Sequence, residues 1–395
     1  MSKKIRVLAV TGIRSEYDIL YPVLDFLRKD KSFEIKIVVA GAHLSDWHQN
    51  SIKAIEDDGF IIADKIDYLL MTDRVTQRSK GAGILIQGLT QVVERENPNF
   101  LLVVGDREES IATAVVGNYM GVLVTHLAGG DTVYGNTDDL IRFAVSKLAN
   151  IHFVFSQKSA ENLKRIGEEA FRIFIIGNPA LDIIRFAPII SLSEISRQLD
   201  FDITDGKYLV LLQHPLSSER ENAGHQMEIT LQTLDTFCTA VGYKTIGIYP
   251  NVDPGAYEIV NVITRYAESS QIRFFKNLPR TLFVNVMRQT RALVGNSSMG
   301  ILEAPFYKFP VVNVGNRQRG RENAGNIEFV PHKGTAIKAA IHKACINEEY
   351  RRAVLMLKNP FGDGRSSKKI RDVLKLINLS NKKWIIKKDL AGISL

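Results

Sequence analysis

Short apolar runs alternate with amphipathic stretches through the first half of the chain. Ile5–Val10, Glu34–Ala40, Phe100–Val104, Val122–His126, Ile151–Phe155 and Arg172–Ile176 are rich in Val, Ile, Leu and Phe and too short for buried helices. Between them, Tyr17–Lys29, Thr72–Glu96, Glu109–Tyr119 and Asp138–Ala149 place apolar residues three and four apart, the period of a helix. Strands that are apolar on both faces, alternating with helices, predict a parallel sheet covered on each side. The pattern breaks at Gly177-Asn178-Pro179 and starts again. Tyr208–Gln213, Thr245–Tyr249, Ile272–Phe275, Ala292–Val294 and Val311–Val314 are the strands of the second round. The prediction is an α/β protein of two doubly wound, Rossmann-like domains, with a ligand expected in an interdomain cleft at the carboxyl ends of the strands.

Composition narrows the class. The chain has 395 residues, 45% hydrophobic and 24% charged, which are globular values and suit two domains. Two cysteines, Cys238 and Cys345, are too few for a disulfide scaffold and too far apart for a zinc motif, so they read as core thiols. The opening run is interrupted by Arg6 and followed by no small-residue cleavage site, so it reads as a strand and not a secretory signal. No stretch approaches the roughly 18 apolar residues of a membrane helix. A cytoplasmic protein is expected.

The net charge of +8 is unevenly spread. From Lys358 to the end there are ten Lys/Arg and three Asp, which supply seven of the eight charges. The body is therefore nearly neutral. The tail reads as a solvated helix end, without the interleaved aromatics of a nucleic-acid binder.

Candidate chemistry clusters where strands end. Thr11-Gly12-Ile13-Arg14 follows the first strand and opens a helix, where Gly12 permits a tight turn and Arg14 adds a cation. It lacks the G-x-G-x-x-G of a dinucleotide loop. Gly105-Asp106-Arg107 ends a very apolar strand with adjacent charges, as an ion pair or a ligand site. His126-Leu127-Ala128-Gly129-Gly130-Asp131 ends the next, its glycines permitting close approach to a ligand. Asp138-Asp139 begins a helix, where Asp138 also suits an N-cap. Carboxylates and a histidine at one sheet edge suit proton transfer. In the second half, Gln213-His214-Pro215 ends a strand, and Gly295-Asn296-Ser297-Ser298 is followed by Glu303. One serine suffices for an N-cap. The functional reading has both holding a diphosphate, with Glu303 on ribose hydroxyls and Arg317, Arg319 and Arg321 beside the anion.

Taken together, these segments resemble the hydrolysing branch of the UDP-N-acetylglucosamine 2-epimerases, which have the GT-B fold and serve sialic and legionaminic acid biosynthesis. The resemblance runs from Arg14 to the Phe361-Gly362-Asp363-Gly364 turn, through Gly105-Asp106-Arg107, Gly129-Gly130, Asp138-Asp139, Gln213-His214-Pro215 and Tyr249-Pro250-Asn251-Val252-Asp253. Its most specific part is Gly295-Asn296-Ser297-Ser298 with Glu303-Ala304-Pro305 and Arg317-Gln318. It implies expulsion of UDP with loss of the C2 proton, then hydration of the glycal to the free 2-epimer. Arg14, Arg107, His214, Asn251, Ser297, Ser298, Glu303 and Arg317 match UDP contacts. Asp106 and Asp138 match catalytic acids, and His43 and His126 would line the sugar pocket. Arg107 and His214 would stabilise the departing diphosphate, with no metal or cofactor required.

The resemblance also implies domains at 1–178 (sugar and catalytic acids) and 179–365 (UDP), a helix in 366–395 that crosses back to the first domain, and a homodimer or homotetramer. Relatives often carry Glu or another polar residue where this chain has Ala128, and the spacing from Gly130 to Asp138 is one residue longer than commonest. Asp131 is then the candidate substitute acid. The smaller side chain leaves room for a bulkier sugar, such as a UDP-2,4-diacetamido-trideoxyhexose, beside UDP-GlcNAc. The rival readings are a non-hydrolysing 2-epimerase, a GT-B glycosyltransferase and a catalytically silent UDP-sugar binder.

Overall fold

Burial on both faces is what makes the strands of this protein parallel and central. Phe100–Val104 is buried at all five positions, as are Leu123–Leu127 and Tyr208–Leu212. The computed structural model describes residues 4–45, 51–70, 76–132, 138–250, 254–381 and 383–386. The chain forms two compact units, residues 1–183 with 360–395, and residues 184–359.

The first unit holds a parallel sheet of seven strands: β1 (Ile5–Thr11), β2 (Phe33–Ala40), β3 (Ile62–Ile66), β4 (Phe100–Val104), β5 (Leu123–Leu127), β6 (Ile151–Val154) and β7 (Ile173–Ile175). Their order is β3-β2-β1-β4-β5-β6-β7. The order reverses between β1 and β4, where Val7 pairs with Phe100 and Ala9 with Leu102. The second unit repeats the plan with β8 (Tyr208–Leu212), β9 (Lys244–Ile248), β10 (Ile272–Phe275), β11 (Leu293–Gly295), β12 (Val311–Val314) and β13 (Ile327–Val330), ordered β10-β9-β8-β11-β12-β13. Its reversal lies between β8 and β11. These are two doubly wound α/β domains, as the alternation of apolar runs predicts.

Two strands are absent from the sequence reading, β3 and β13. Both are edge strands with only one fully buried residue each, so neither shows the continuous apolar run of a central strand.

The chain's return to the first unit is anchored by backbone and carboxylate contacts. Asn178 donates its amide to the Phe361 carbonyl at 2.7 Å. A Cβ on Gly362 would lie 2.8 Å from the Gly177 Cα, so this crossing needs glycine. Asp182 accepts the amides of Ser366 and Ser367 at 2.9 and 2.8 Å, satisfying the start of the helix Ser366–Leu376. That helix lies on Arg14–Arg28, with Arg371 over the Phe26 ring and Lys375 paired to Asp30 at 2.5 Å. Farther on, the buried Arg172 donates to the carbonyls of Lys383 and Trp384. In the second unit Cys238 and Cys345 are buried thiols, pushed by burial to about 11 and about 12, and both stay protonated at neutral pH. Among the described residues no helix is long and apolar enough to cross a membrane.

Candidate active site

The loops after β1, β4 and β5 gather at the reversal point of the first sheet. Gly105 takes a left-handed backbone (φ 77°) and donates its amide to the Leu127 carbonyl, turning the chain so that Asp106 follows at the strand's carboxyl end. Arg142 pairs with the Asp106 carboxylate, donates to the Ala128 carbonyl at 3.0 Å and lies 3.9 Å from Asp139. One largely buried guanidinium therefore ties together the loops after β4 and β5 and the helix Asp138–Leu148. Asp131 is half-buried in the loop after β5, and Asp138 is the first residue of that helix.

The two histidines assigned to the sugar pocket are buried braces. His126 donates from Nε2 to the Gly105 carbonyl at 2.7 Å, since a carbonyl can only accept, and its Nδ1 lies 3.1 Å from Ser146 Oγ. It thereby holds the turn that presents Asp106. His43 contacts Thr11 Oγ1 and Ser51 Oγ at 3.1 and 2.8 Å, and burial lowers it to about 4, so its ring is neutral at pH 7. Both rings have both nitrogens engaged by protein groups.

Ala128 is buried and left-handed (φ 61°), a conformation costing a non-glycine residue on the order of 1 kcal/mol. The glycines after it serve packing. A Cβ on Gly130 would lie 2.3 Å from the Ser159 carbonyl, and one on Gly129 would lie 3.0 Å from both His126 Nδ1 and Ser146 Oγ. This close approach is to the protein's own backbone and side chains.

Arg14 begins its helix at the end of β1, with its Nε 3.6 Å from Asp18 in an exposed pair. Arg107 keeps 37% of its side chain exposed, while its Nε is buried 3.9 Å from Glu109.

In the second unit, the loops after β8 and β11 are clamped together. His214 donates its amide to Asn296 Oδ1 at 2.7 Å, and Asn296 Nδ2 donates to the His214 carbonyl at 2.8 Å. The approach requires Gly295 (φ 126°), where a Cβ would sit 2.2 Å from the Leu212 carbonyl. Burial, helped by the charge of Arg317, pulls His214 down to about 3. Without a ligand the imidazole is therefore neutral at pH 7, a hydrogen-bonding group at the end of β8.

Ser297 Oγ accepts the Met299 amide at 3.3 Å, whereas Ser298 makes no side-chain capping bond. The helix they open is one turn, Met299–Leu302, and Glu303 sits at the break before Ala304–Tyr307. So short a helix carries little dipole, and its amides from Met299 to Leu302 already donate to oxygens of Ser297 and Ser298. Arg317 donates to the Asn296 carbonyl at 3.3 Å, beside Gln318, which reaches the same oxygen at 3.0 Å. The other two arginines take protein partners: Arg321 is buried on Gln318, and Arg319 bonds Asn316 and covers Phe329. Asn251 lies outside the described residues.

Sequence reasoning missed Arg142, Glu16 and Glu109. The signal was present. Each occupies the buried stripe of its helix: Glu16 with Leu20 and Leu24, Glu109 with Ala112 and Val116, Arg142 with Val145. A charge at a core-facing helical position marks a paired or functional group.

Comparison with known proteins agrees with this fold. The UDP-N-acetylglucosamine 2-epimerase family profile matches residues 25–375. The chain is 32% identical over 374 residues to the UDP-N,N'-diacetylbacillosamine 2-epimerase (hydrolyzing) of Legionella pneumophila, covering 95% of this chain and 96% of that protein. It is 31% identical over 329 residues to the GDP/UDP-N,N'-diacetylbacillosamine 2-epimerase (hydrolyzing) of Campylobacter jejuni, covering 83% and 84%. A solved UDP-GlcNAc 2-epimerase of Neisseria meningitidis, bound to UDP-GlcNAc, shares the fold with a TM-score of 0.77 at 19% identity, over 94% of this chain and 100% of that one. The chain belongs to the UDP-N-acetylglucosamine 2-epimerase family and is a 2-epimerase.

Proposed function

We propose that this enzyme is a hydrolysing 2-epimerase whose substrate is a UDP-2,4-diacetamido-trideoxyhexose. The observation that carries the reading is the Asp106 carboxylate, held by Arg142 at the reversal point of the first sheet, with the partly exposed Arg107 next to it in the chain. The names of the two relatives above support the sugar class, and Ala128 offers less bulk than the polar residue common in the family.

In this reading a base takes the C2 proton while the C1–O bond breaks, its electron pair leaving on the diphosphate oxygen. The resulting C1=C2 glycal adds water, the hydroxyl going to C1 and a proton to the opposite face of C2. Asp106 and Asp138 are assigned to proton movement, with Asp131 in place of the missing family acid. Arg107 meets the negative charge that grows on the leaving diphosphate, where a preformed cation is most effective. Arg14, Asn251, Ser297, Ser298, Glu303 and Arg317 are assigned to UDP, and His214 contributes as a neutral hydrogen-bonding group. His43 and His126 act on the sugar pocket by bracing its walls. The reading includes a cytoplasmic enzyme that works as a homodimer or homotetramer, a state that sedimentation would show.

Incubation in deuterated water, followed by NMR, tests the reaction. Free UDP with a C2-deuterated epimer is expected, formed faster from the diacetamido sugar than from UDP-GlcNAc. Two interconverting intact UDP-sugars would instead identify non-hydrolysing chemistry.

A further inference from the structure

Behind Arg107 lies a group of ionisable side chains that the proposed mechanism does not use. Glu16 and Glu109 come from different helices, Arg14–Arg28 and Glu108–Met120, and converge on Gly12. The Gly12 amide donates to Glu16 Oε2 at 3.0 Å, and a Cβ on Gly12 would fall 1.4 Å from Glu109 Oε1. That same oxygen accepts the Tyr68 hydroxyl at 2.5 Å. Gly41 closes the far side, where a Cβ would stand 2.8 Å from Glu109 Oε1 and 3.0 Å from the Tyr68 ring. Neither glycine leaves room for a side chain, so the backbone is shaped around the Glu109 carboxyl.

Three buried polar atoms in this group lack a hydrogen-bond partner among the described residues: Glu16 Oε1, Glu109 Oε2 and Arg107 Nε. The last two stand 3.9 Å apart, near enough for strong attraction and just beyond a hydrogen bond. Burial, and then the charge of Glu109, raise Glu16 well above the usual carboxylate range. Burial also raises Glu109, against the pull of Arg107 and Tyr68. Asp106 acts on Glu16 as well, and Glu108, itself paired with Arg78, acts on Arg107 and Tyr68.

We propose that Glu109, seated by Tyr68, Gly12 and Gly41, is a positioning residue that anchors Arg107 from behind. The inference rests on the reading of Arg107 as a ligand of the diphosphate. A carboxylate behind the guanidinium limits its freedom before ligand arrives and leaves its outer N–H groups for phosphate oxygens.

The test is a double-mutant cycle on UDP affinity, measured by calorimetry for the wild type, Glu109→Gln, Arg107→Ala and the double variant, with melting temperatures alongside. Gln fills the same space and still accepts from Tyr68, but it turns an amide N–H toward Arg107. Glu109→Gln is expected to weaken UDP about 10-fold, the scale of losing the charge that faces a partly buried guanidinium. The double variant should bind no worse than Arg107→Ala alone. Losses that add, or a Glu109→Gln affinity equal to wild type while Arg107→Ala is weakened, would overturn the positioning role and leave the reading of Arg107 intact. Unchanged affinity in Arg107→Ala would overturn that reading first. Should Glu109→Gln fold poorly, Tyr68→Phe removes only the seat. It should weaken UDP in the same direction and lose its effect when Arg107 is absent, and equal affinity there would also overturn the proposal.

Discussion

The two sheets share a topology and differ in what their reversal points carry. At β1/β4 the loops are tied by ionisable groups: Asp106 with Arg142, and Glu16 and Glu109 around Arg107. At β8/β11 the tie is a neutral amide clamp between Asn296 and His214, with Arg317 resting on a carbonyl. Ionisable groups at the first edge are suited to moving protons, and fixed neutral dipoles at the second are suited to holding a ligand. A doubly wound sheet supplies the place for a site, and the side chains at its edge decide the chemistry.

Removing one charge from the first edge should do the most damage. Asp106→Asn is expected to lower turnover by about 10³-fold or more while UDP affinity stays within a few-fold, since general acid–base groups contribute on this scale. Steady-state kinetics and calorimetry read the two effects separately. If turnover survives, the first edge is not where protons move.

The two ties should also differ in what they contribute to stability. Arg142→Ala leaves Asp106 without its buried partner and should cost about 3–5 kcal/mol in urea unfolding. Asn296→Ala removes a neutral clamp and should cost about 1–3 kcal/mol. Equal losses would remove the distinction between the edges.

At the second edge, Arg317→Ala should weaken UDP by about 10-fold, the loss of one charge-assisted bond, with a smaller effect on the rate at saturation. Unaltered affinity in calorimetry would take Arg317 out of the UDP site.

A weaker effect is expected from pH. His43 and His214 have folded values near 4 and 3, below the ordinary 6.5, so the unfolded chain binds more protons in acid. Their contribution to stability is full above about pH 6.5 and is lost progressively as pH falls toward their folded values. Urea midpoints should therefore fall from pH 6.5 to pH 4, and His43→Asn should flatten part of that slope. An unchanged slope would mean that His43 is not held neutral by the fold.

How much of the site is legible in advance depends on where each residue lies along the chain. Gly105-Asp106-Arg107 and Gly295-Asn296-Ser297-Ser298 follow continuous apolar runs, and hydrophobic patterning alone puts them at strand ends. Strands β3 and β13 are less legible because edge strands need little apolar surface. Arg142, Glu16 and Glu109 show only as charges on apolar helical stripes, and nothing local names their partners.

Hydrophobic patterning was enough to specify the two α/β rounds, the parallel strands and the loops that bear polar residues, because burial on both faces writes a local signature. It took the folded chain to settle that Arg142 holds Asp106, that Gly12 and Gly41 are shaped around Glu109, that His214 is clamped to Asn296 and that Arg319 and Arg321 take protein partners. The difference is one of range. Backbone preference and burial act over a few residues, whereas the charge and aim of a side chain depend on groups that folding brings from far along the chain.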